Sequence, residues 1–181
     1  KSRSARMEQG LFLAEGEHMT QEAISSGYAD TIIVSQSAQQ KYRALLLSGL
    51  PVNILADHVF ESLCDAKTPQ GILALCSLEE AQPLNALGDR IVCLNGLQDP
   101  GNMGTILRTM DAAGFTGLLM DDKTCDCFSP KALRASMGSI FRMPVHRTSN
   151  LCNALDVLRK SEYEILAGDL SGQPFFDDRK R

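Results

Sequence analysis

The chain has 181 residues, enough for one large domain or two small ones that each bury a core, so its length does not demand metal or disulfide staples. Hydrophobic residues make up 44% and charged residues 22%, with 14 glycines and 7 prolines, which excludes collagen-like, disordered and low-complexity classes. A net charge of −4 argues against coating nucleic acid through bulk positive charge, and no apolar run approaches the roughly eighteen residues a membrane helix needs.

Residues 1–10 read as a basic arm carrying Lys1, Arg3 and Arg6, without the apolar centre of a secretory signal, and a cytoplasmic location is expected. From there, short apolar runs alternate with amphipathic stretches, the pattern of βα units around a mainly parallel sheet. Strands are expected at 10–14, 31–34, 51–55 and 71–76, with helices at 15–26, at 37–47 behind Ser37 as N-cap, and at 57–64. These elements make a first domain over residues 11–78. The polar Pro- and Gly-bearing stretch 79–89 reads as a linker, and residues 90–181 as a second α/β domain. Within that domain strands are expected at 90–94, 117–120, 143–146 and 163–167. Helices are expected at 102–113, from Ser129-Pro130 onward, and at 149–160. A parallel sheet ending on 163–167 would need a further crossover helix over its face, and residues 168–181 are polar.

Six cysteines are scattered, and the only close pair is Cys125 with Cys127. A C-x-C pair without a second pair or a matching histidine points to reduced structural thiols, and no metal site is expected. Between Lys123 and Arg147, five basic residues (Lys123, Lys131, Arg134, Arg142, Arg147) stand against one acid, Asp126. That stretch suits either a solvated helix face or a local polyanion contact.

The segment 95–108, Asn-Gly-Leu-Gln-Asp-Pro-Gly-Asn-Met-Gly-Thr-Ile-Leu-Arg, lies between an expected strand and helix, where open α/β sheets bind ligands. Gly96 and Gly101 have P-loop spacing, but Asn102-Met103 follow where Lys and Ser/Thr are needed, and no G-x-G-x-x-G occurs. An NTPase or Rossmann site is therefore excluded. Spacing alone leaves a glycine-rich turn with Asn102 at the helix start and Arg108 on another helix face.

Residues 94–109 as a whole closely resemble the first signature of the SpoU (TrmH-like) RNA ribose 2′-O-methyltransferases of the SPOUT superfamily. Phe128-Ser129-Pro130-Lys131 through Arg134-Ala135-Ser136-Met137-Gly138, with Met143-Pro144-Val145, resembles a second family segment. Phe12-Leu13-Ala14-Glu15-Gly16 and Thr68-Pro69-Gln70-Gly71-Ile72-Leu73-Ala74 resemble the L30e-like substrate-binding domain found in ribosomal RNA members. The resemblance implies an L30e-like domain over 11–78 and a SPOUT methyltransferase domain over 90–181. It implies methyl transfer from S-adenosyl-L-methionine to a ribose 2′-hydroxyl of structured RNA, 23S ribosomal RNA above all, by a homodimer. Arg108 matches the arginine that in the family is proposed to help deprotonate the 2′-hydroxyl. Since a guanidinium stays protonated, its role is expected to be binding the adjacent phosphate and stabilising a developing alkoxide. Asn102 matches an asparagine that orders the site. Lys131 and Arg134 become candidate RNA contacts, and Ala167, Gly168 and Asp169 a candidate cofactor edge. Ser136 and Gly138 are expected to serve packing, and Asp111 to pair with a basic neighbour.

The family's second and third signatures, an N-E-x-G-like loop and a terminal S-L-N helix, are expected after 163–167 and do not occur before Arg181. The chain is therefore expected to be a fragment whose knot-forming segment lies elsewhere. The alternative is a non-catalytic RNA-binding protein of the same fold.

Overall fold

The computed structural model describes residues 2–78 and 81–172. Residues 1–149 form one compact unit and residues 150–181 a second. The expected basic arm is instead a helix, α1 (Arg3–Gln9), capped by the Ser2 hydroxyl and ended by Gly10 at φ 64°. Its Arg6 is buried and paired with Asp126, Nη2 to Oδ2 at 2.5 Å, so this cation serves folding rather than a polyanion.

A four-stranded sheet follows, made of β1 (Leu11–Glu15), β2 (Ala29–Ser35), β3 (Val52–Leu55) and β4 (Ile72–Ser77), in the order β1-β4-β2-β3. Only β2 and β3 run parallel; β4 is antiparallel to both its neighbours. The expected mainly parallel sheet is thus corrected for this half. Apolar runs announce strands but not their direction, and the nearly continuous run of β4, with Ile72, Leu73, Ala74 and Cys76 fully buried, fits a central strand of either kind. Helix α2 (Glu17–Ser25) packs on the sheet.

The helix expected over 37–47 is broken into a 3-10 turn at Gln36–Ala38 and the single turn α3 (Arg43–Leu46). Ser37 does not cap; its own backbone N–H donates to Asp57 at 3.0 Å. Between the two turns the chain diverts to bury the Tyr42 ring, whose hydroxyl donates to the Gln70 carbonyl at 2.9 Å. Helix α4 (Asp57–Leu63) then precedes β4.

The segment 81–89 is anchored. Gln82 N–H donates to the Val145 carbonyl, and Leu87 is fully buried where a Cβ on Gly117 would come within 2.5 Å of it. A second, all-parallel sheet, β5-β6-β7, is formed by β5 (Ile91–Leu94), β6 (Gly117–Asp121) and β7 (Val145–Thr148), the last two residues later than expected. It carries α5 (Pro100–Ala112) and α6 (Pro130–Ser136). The two sheets share one core, in which Phe12 and Ala14 meet Met103, Leu107 and Met110. Phe12 also lies 5.0 Å from Phe128 and 6.2 Å from Phe141, centroid to centroid.

In the second unit, α7 (Leu151–Lys160) begins at Asn150, whose side chain accepts from Asn153 N–H. No strand forms at 163–167, contrary to expectation; residues 163–169 have no regular structure. A strand exists only through the neighbour that takes its N–H and C=O groups, and none of the described strands pairs with this segment. Residues 173–181 lie outside the described part.

Candidate functional site

The loops that follow β5 and β6 are bolted to each other. Asp121, the last residue of β6, is buried, and its Oδ1 accepts from the Gly96 N–H (3.0 Å), the Thr124 N–H (2.9 Å) and the Thr124 hydroxyl (2.5 Å). These bonds, that of the Thr124 hydroxyl first, hold the Asp121 carboxyl below its ordinary 3.8. The Thr124 hydroxyl accepts from Leu97 N–H, and Cys125 N–H donates to the Leu97 carbonyl at 2.7 Å. From β7, Arg147 donates to the carbonyls of Asp121, Thr124 and Cys125, which fixes the outer loop from the other side. Asp121 and Thr124 were not among the residues singled out from the sequence, and Arg147, expected there on a solvated face or at a polyanion contact, is turned inward onto these carbonyls instead. The only local hint was the Asp-x-x-Thr spacing after an apolar strand, a turn signal with many other uses.

Helix α5 starts two residues before the expected point, because Asp99 and not Asn102 is its N-cap. The Asp99 carboxylate accepts from Asn102 N–H at 2.9 Å, and Pro100 takes the first helical position, where no N–H is needed. Asp99 also holds Lys131 Nζ at 2.8 Å, and that bond is the first cause of its lowered pKa. The signature helix and α6 are thereby tied at their N-termini. They also approach closely: a Cβ on Gly104 would lie 2.3 Å from the Ala135 Cβ and 2.6 Å from its carbonyl carbon.

Asn102 and Arg108 are both exposed on α5, about 120° apart around its axis, so the helix does not bring their side chains together. Arg108 faces an open cleft with Thr105, Thr109, Met137 and Ser139. Among the described residues it has no hydrogen bond or ion pair. The reversal after α6 builds one wall of this cleft: Met137 (φ 51°) and Gly138 (φ 86°) both adopt left-handed conformations, and Gly138 abuts Glu22 where a Cβ would come within 2.5 Å. Ser136 is fully buried, with its hydroxyl on the Leu133 carbonyl. Packing is what these two residues do, as expected. Asp111 is paired as expected too, by Arg142.

The other basic residues are less free than their spacing suggested. Arg134 Nη2 donates to Asp65 at 2.7 Å, while its Nη1 lies 3.8 Å from Glu15 and is buried without a hydrogen bond. Lys131 and Arg134 nevertheless keep 63% and 38% of their side chains exposed. The sequence motifs of the first half are structural here. Gln70 caps α2 by accepting from Glu17 N–H at 2.8 Å, the role that Gly16 cannot fill, and Glu15 accepts from the N–H groups of Asp65 and Ala66.

Ala167, Gly168 and Asp169 are exposed, and the Asp169 carboxylate is engaged by Ser171. At the end of β5, Gly96 (φ 68°) leaves open space where a side chain would stand, but its N–H and that of Leu97 are already spent. Burial pushes the Cys76 and Cys127 thiols up to about 12, which makes them inert.

The SpoU rRNA Methylase family model matches residues 89–180, and the MRM3-like substrate binding domain matches residues 1–74. The Bacillus subtilis 23S rRNA (guanosine(2553)-2′-O)-methyltransferase is 33% identical over 176 residues, 96% of this chain and 69% of that protein. Human mitochondrial rRNA methyltransferase 3 is 33% identical over 156 residues, which cover 80% of this chain and 37% of the human one. Two solved structures share the fold. The SpoU methyltransferase AviRb from Streptomyces viridochromogenes, in complex with AdoMet, has a TM-score of 0.78 at 23% identity, covering 90% of this chain and 64% of its own. An AdoMet-bound rRNA methyltransferase from Sinorhizobium meliloti has a TM-score of 0.71 at 29% identity, covering 87% and 61%. The chain spans less than two thirds of both solved chains.

Proposed function

Because the chain belongs to the SpoU rRNA methylase family, we propose that it acts in methylating a ribose 2′-hydroxyl of ribosomal RNA, with S-adenosyl-L-methionine as the methyl donor. The name of the Bacillus subtilis relative supports 23S RNA as the substrate and the 2′-oxygen as the acceptor. The AdoMet-bound neighbours support the donor, which would supply an electrophilic sulfonium methyl group. The edge Ala167, Gly168 and Asp169 is proposed to meet it, although these three residues are exposed. The same reading carries a homodimer acting in the cytoplasm.

The observation that supports the catalytic assignment is Arg108, an arginine in an open cleft with no carboxylate upon it among the described residues. Its guanidinium can take the phosphate next to the target ribose, so that the 2′-oxygen is held still and its developing negative charge is met by a fixed cation. The Thr105 and Thr109 hydroxyls donate to the Gly101 and Thr105 carbonyls, which leaves their lone pairs toward the cleft as acceptors for a ribose hydroxyl. Asn102, at the N-terminal turn of the same helix, is proposed to order the loop side of the site. Lys131 and Arg134 are proposed to exchange Asp99 and Asp65 for RNA phosphates when RNA arrives.

The test is Arg108→Ala in the intact protein. Methyl transfer should fall by about 10²–10³-fold, the loss seen when one oxyanion donor is removed, with RNA affinity nearly unchanged. Equal turnover by the variant would remove Arg108 from the chemistry. RNA binding without methyl transfer by the wild type would favour a non-catalytic RNA-binding protein instead.

A further inference from the structure

Asp111 stands three residues after Arg108 on α5, the spacing at which a helical aspartate and arginine ordinarily pair. Both line the same cleft, yet they do not pair. The carboxylate is held elsewhere. Arg142 places Nη2 on Asp111 Oδ2 at 2.7 Å and Nε at 3.1 Å from the same oxygen and 3.4 Å from Oδ1. Its remaining fork nitrogen, Nη1, donates to Glu22 on α2, so the guanidinium is itself pinned between two carboxylates. The turn that carries Arg142 is seated against α2 at two further points: His18 Nε2 lies 3.2 Å from the Met137 carbonyl, and Gly138 abuts Glu22.

We propose that Arg142 is a positioning residue whose task is to keep Asp111 away from Arg108, so that the Arg108 guanidinium stands free for an RNA phosphate. Without Arg142, Asp111 keeps only its hydrogen bond with Ser139 and, one helical turn from Arg108, competes with that phosphate for the Arg108 guanidinium. The anchor on Glu22 makes this arrangement depend on α2, so the first half of the chain takes part in setting the chemistry of the second. The inference rests on the proposed role of Arg108.

The experiment compares Arg142→Ala, Asp111→Asn and the double variant of the intact protein in single-turnover methylation of ribosomal RNA. Arg142→Ala should lower the rate of transfer at saturating RNA by at least about tenfold. Asp111→Asn should lose much less, and adding Asp111→Asn to Arg142→Ala should restore most of the rate, because no competing carboxylate is left. A bridge that only stabilised the fold predicts the opposite: equal losses from either single change and no rescue. That result, or an unchanged rate in Arg142→Ala, overturns the proposal. If Arg142→Ala does not fold, Arg142→Lys, which keeps the charge but cannot grip the carboxylate through a fork, carries the same comparison. A second readout does not need activity. Modification of Arg108 by an arginine-selective dicarbonyl should slow in Arg142→Ala and recover in the double variant. A wild type without methyl transfer would sink the proposed function, while this rate would still decide whether Arg142 frees Arg108; no change in it overturns the inference.

Discussion

At the scale of single residues, the site is held by carboxylates in three different jobs. Asp99 starts the signature helix, Asp121 ties two loops, and Asp111 is kept out of the way. Asp121 is the one whose loss should be felt most locally. In Asp121→Ala the Gly96 N–H and both Thr124 donors lose their common acceptor, so amide exchange at Gly96 should accelerate at least about tenfold, measurable by hydrogen exchange. Exchange unchanged from wild type would mean the loop is held by something else. Arg6 makes a different prediction. Its side chain and that of Asp126 are only 10% and 13% exposed, so Arg6→Ala leaves a part-buried carboxylate with the Phe128 N–H as its remaining donor and should cost about 1–3 kcal/mol by urea unfolding. At this scale the signature string named Arg108 and Asn102 from the sequence. Asp121 and Thr124 were not legible, and Arg147 was legible only as one of a run of cations, because their bonds to the first loop and to each other's strands cross gaps of twenty or more residues that no local pattern spans.

At the scale of elements, the contact between α5 and α6 decides where Arg108 stands. Gly104→Ala would ordinarily gain about 1 kcal/mol in helix propensity. Here the new methyl would meet the Ala135 Cβ at 2.3 Å and backbone behind it, and overpacking of that kind costs about 1–3 kcal/mol, so the net effect should be destabilising. A lowered urea midpoint is the expected result, and a raised one would show that the helices part freely. Strands and helices with strong local signals stand where periodicity placed them, such as β6 and α6. One element moved for a local reason, since Asp99 outcompeted Asn102 as the cap, and two for tertiary ones: Tyr42 drew its segment out of a helix, and β4 was inserted antiparallel between β1 and β2.

At the scale of the molecule, charge links stability to pH and to RNA. The Asp99, Asp111 and Asp121 carboxyls are all held below 3.8, chiefly by Lys131, Arg142 and Thr124 respectively. In the folded state they stay ionised at a pH where the unfolded chain already takes up protons. Their stabilising contribution is therefore complete above about pH 4, declines below it, and is gone once pH falls through the lowered folded values. Unfolding free energy measured from pH 2 to 6 should show this acid loss, and Asp111→Asn should flatten it. RNA affinity should fall with added salt. In the variant carrying both Lys131→Ala and Arg134→Ala, the slope of log affinity against log salt should drop by about 1 to 2; an unchanged slope would leave these residues to their carboxylates alone.

What the sequence determined by itself is the family, and through it the chemistry proposed for this chain. The residues that touch a substrate must be particular atoms in a short order, and a sixteen-residue string from Leu94 to Thr109 preserves that order in one dimension. Which of its many cations remain available was decided only in three dimensions. Six ion pairs among the described residues take up Arg6, Lys131, Arg134 and Arg142, and Arg108 stays open because Arg142, thirty-four positions away in the chain and adjacent in the fold, occupies the carboxylate that helix geometry would otherwise have given it. A charge is settled by whatever stands within a few ångströms of it, and that neighbourhood exists only once the chain has folded.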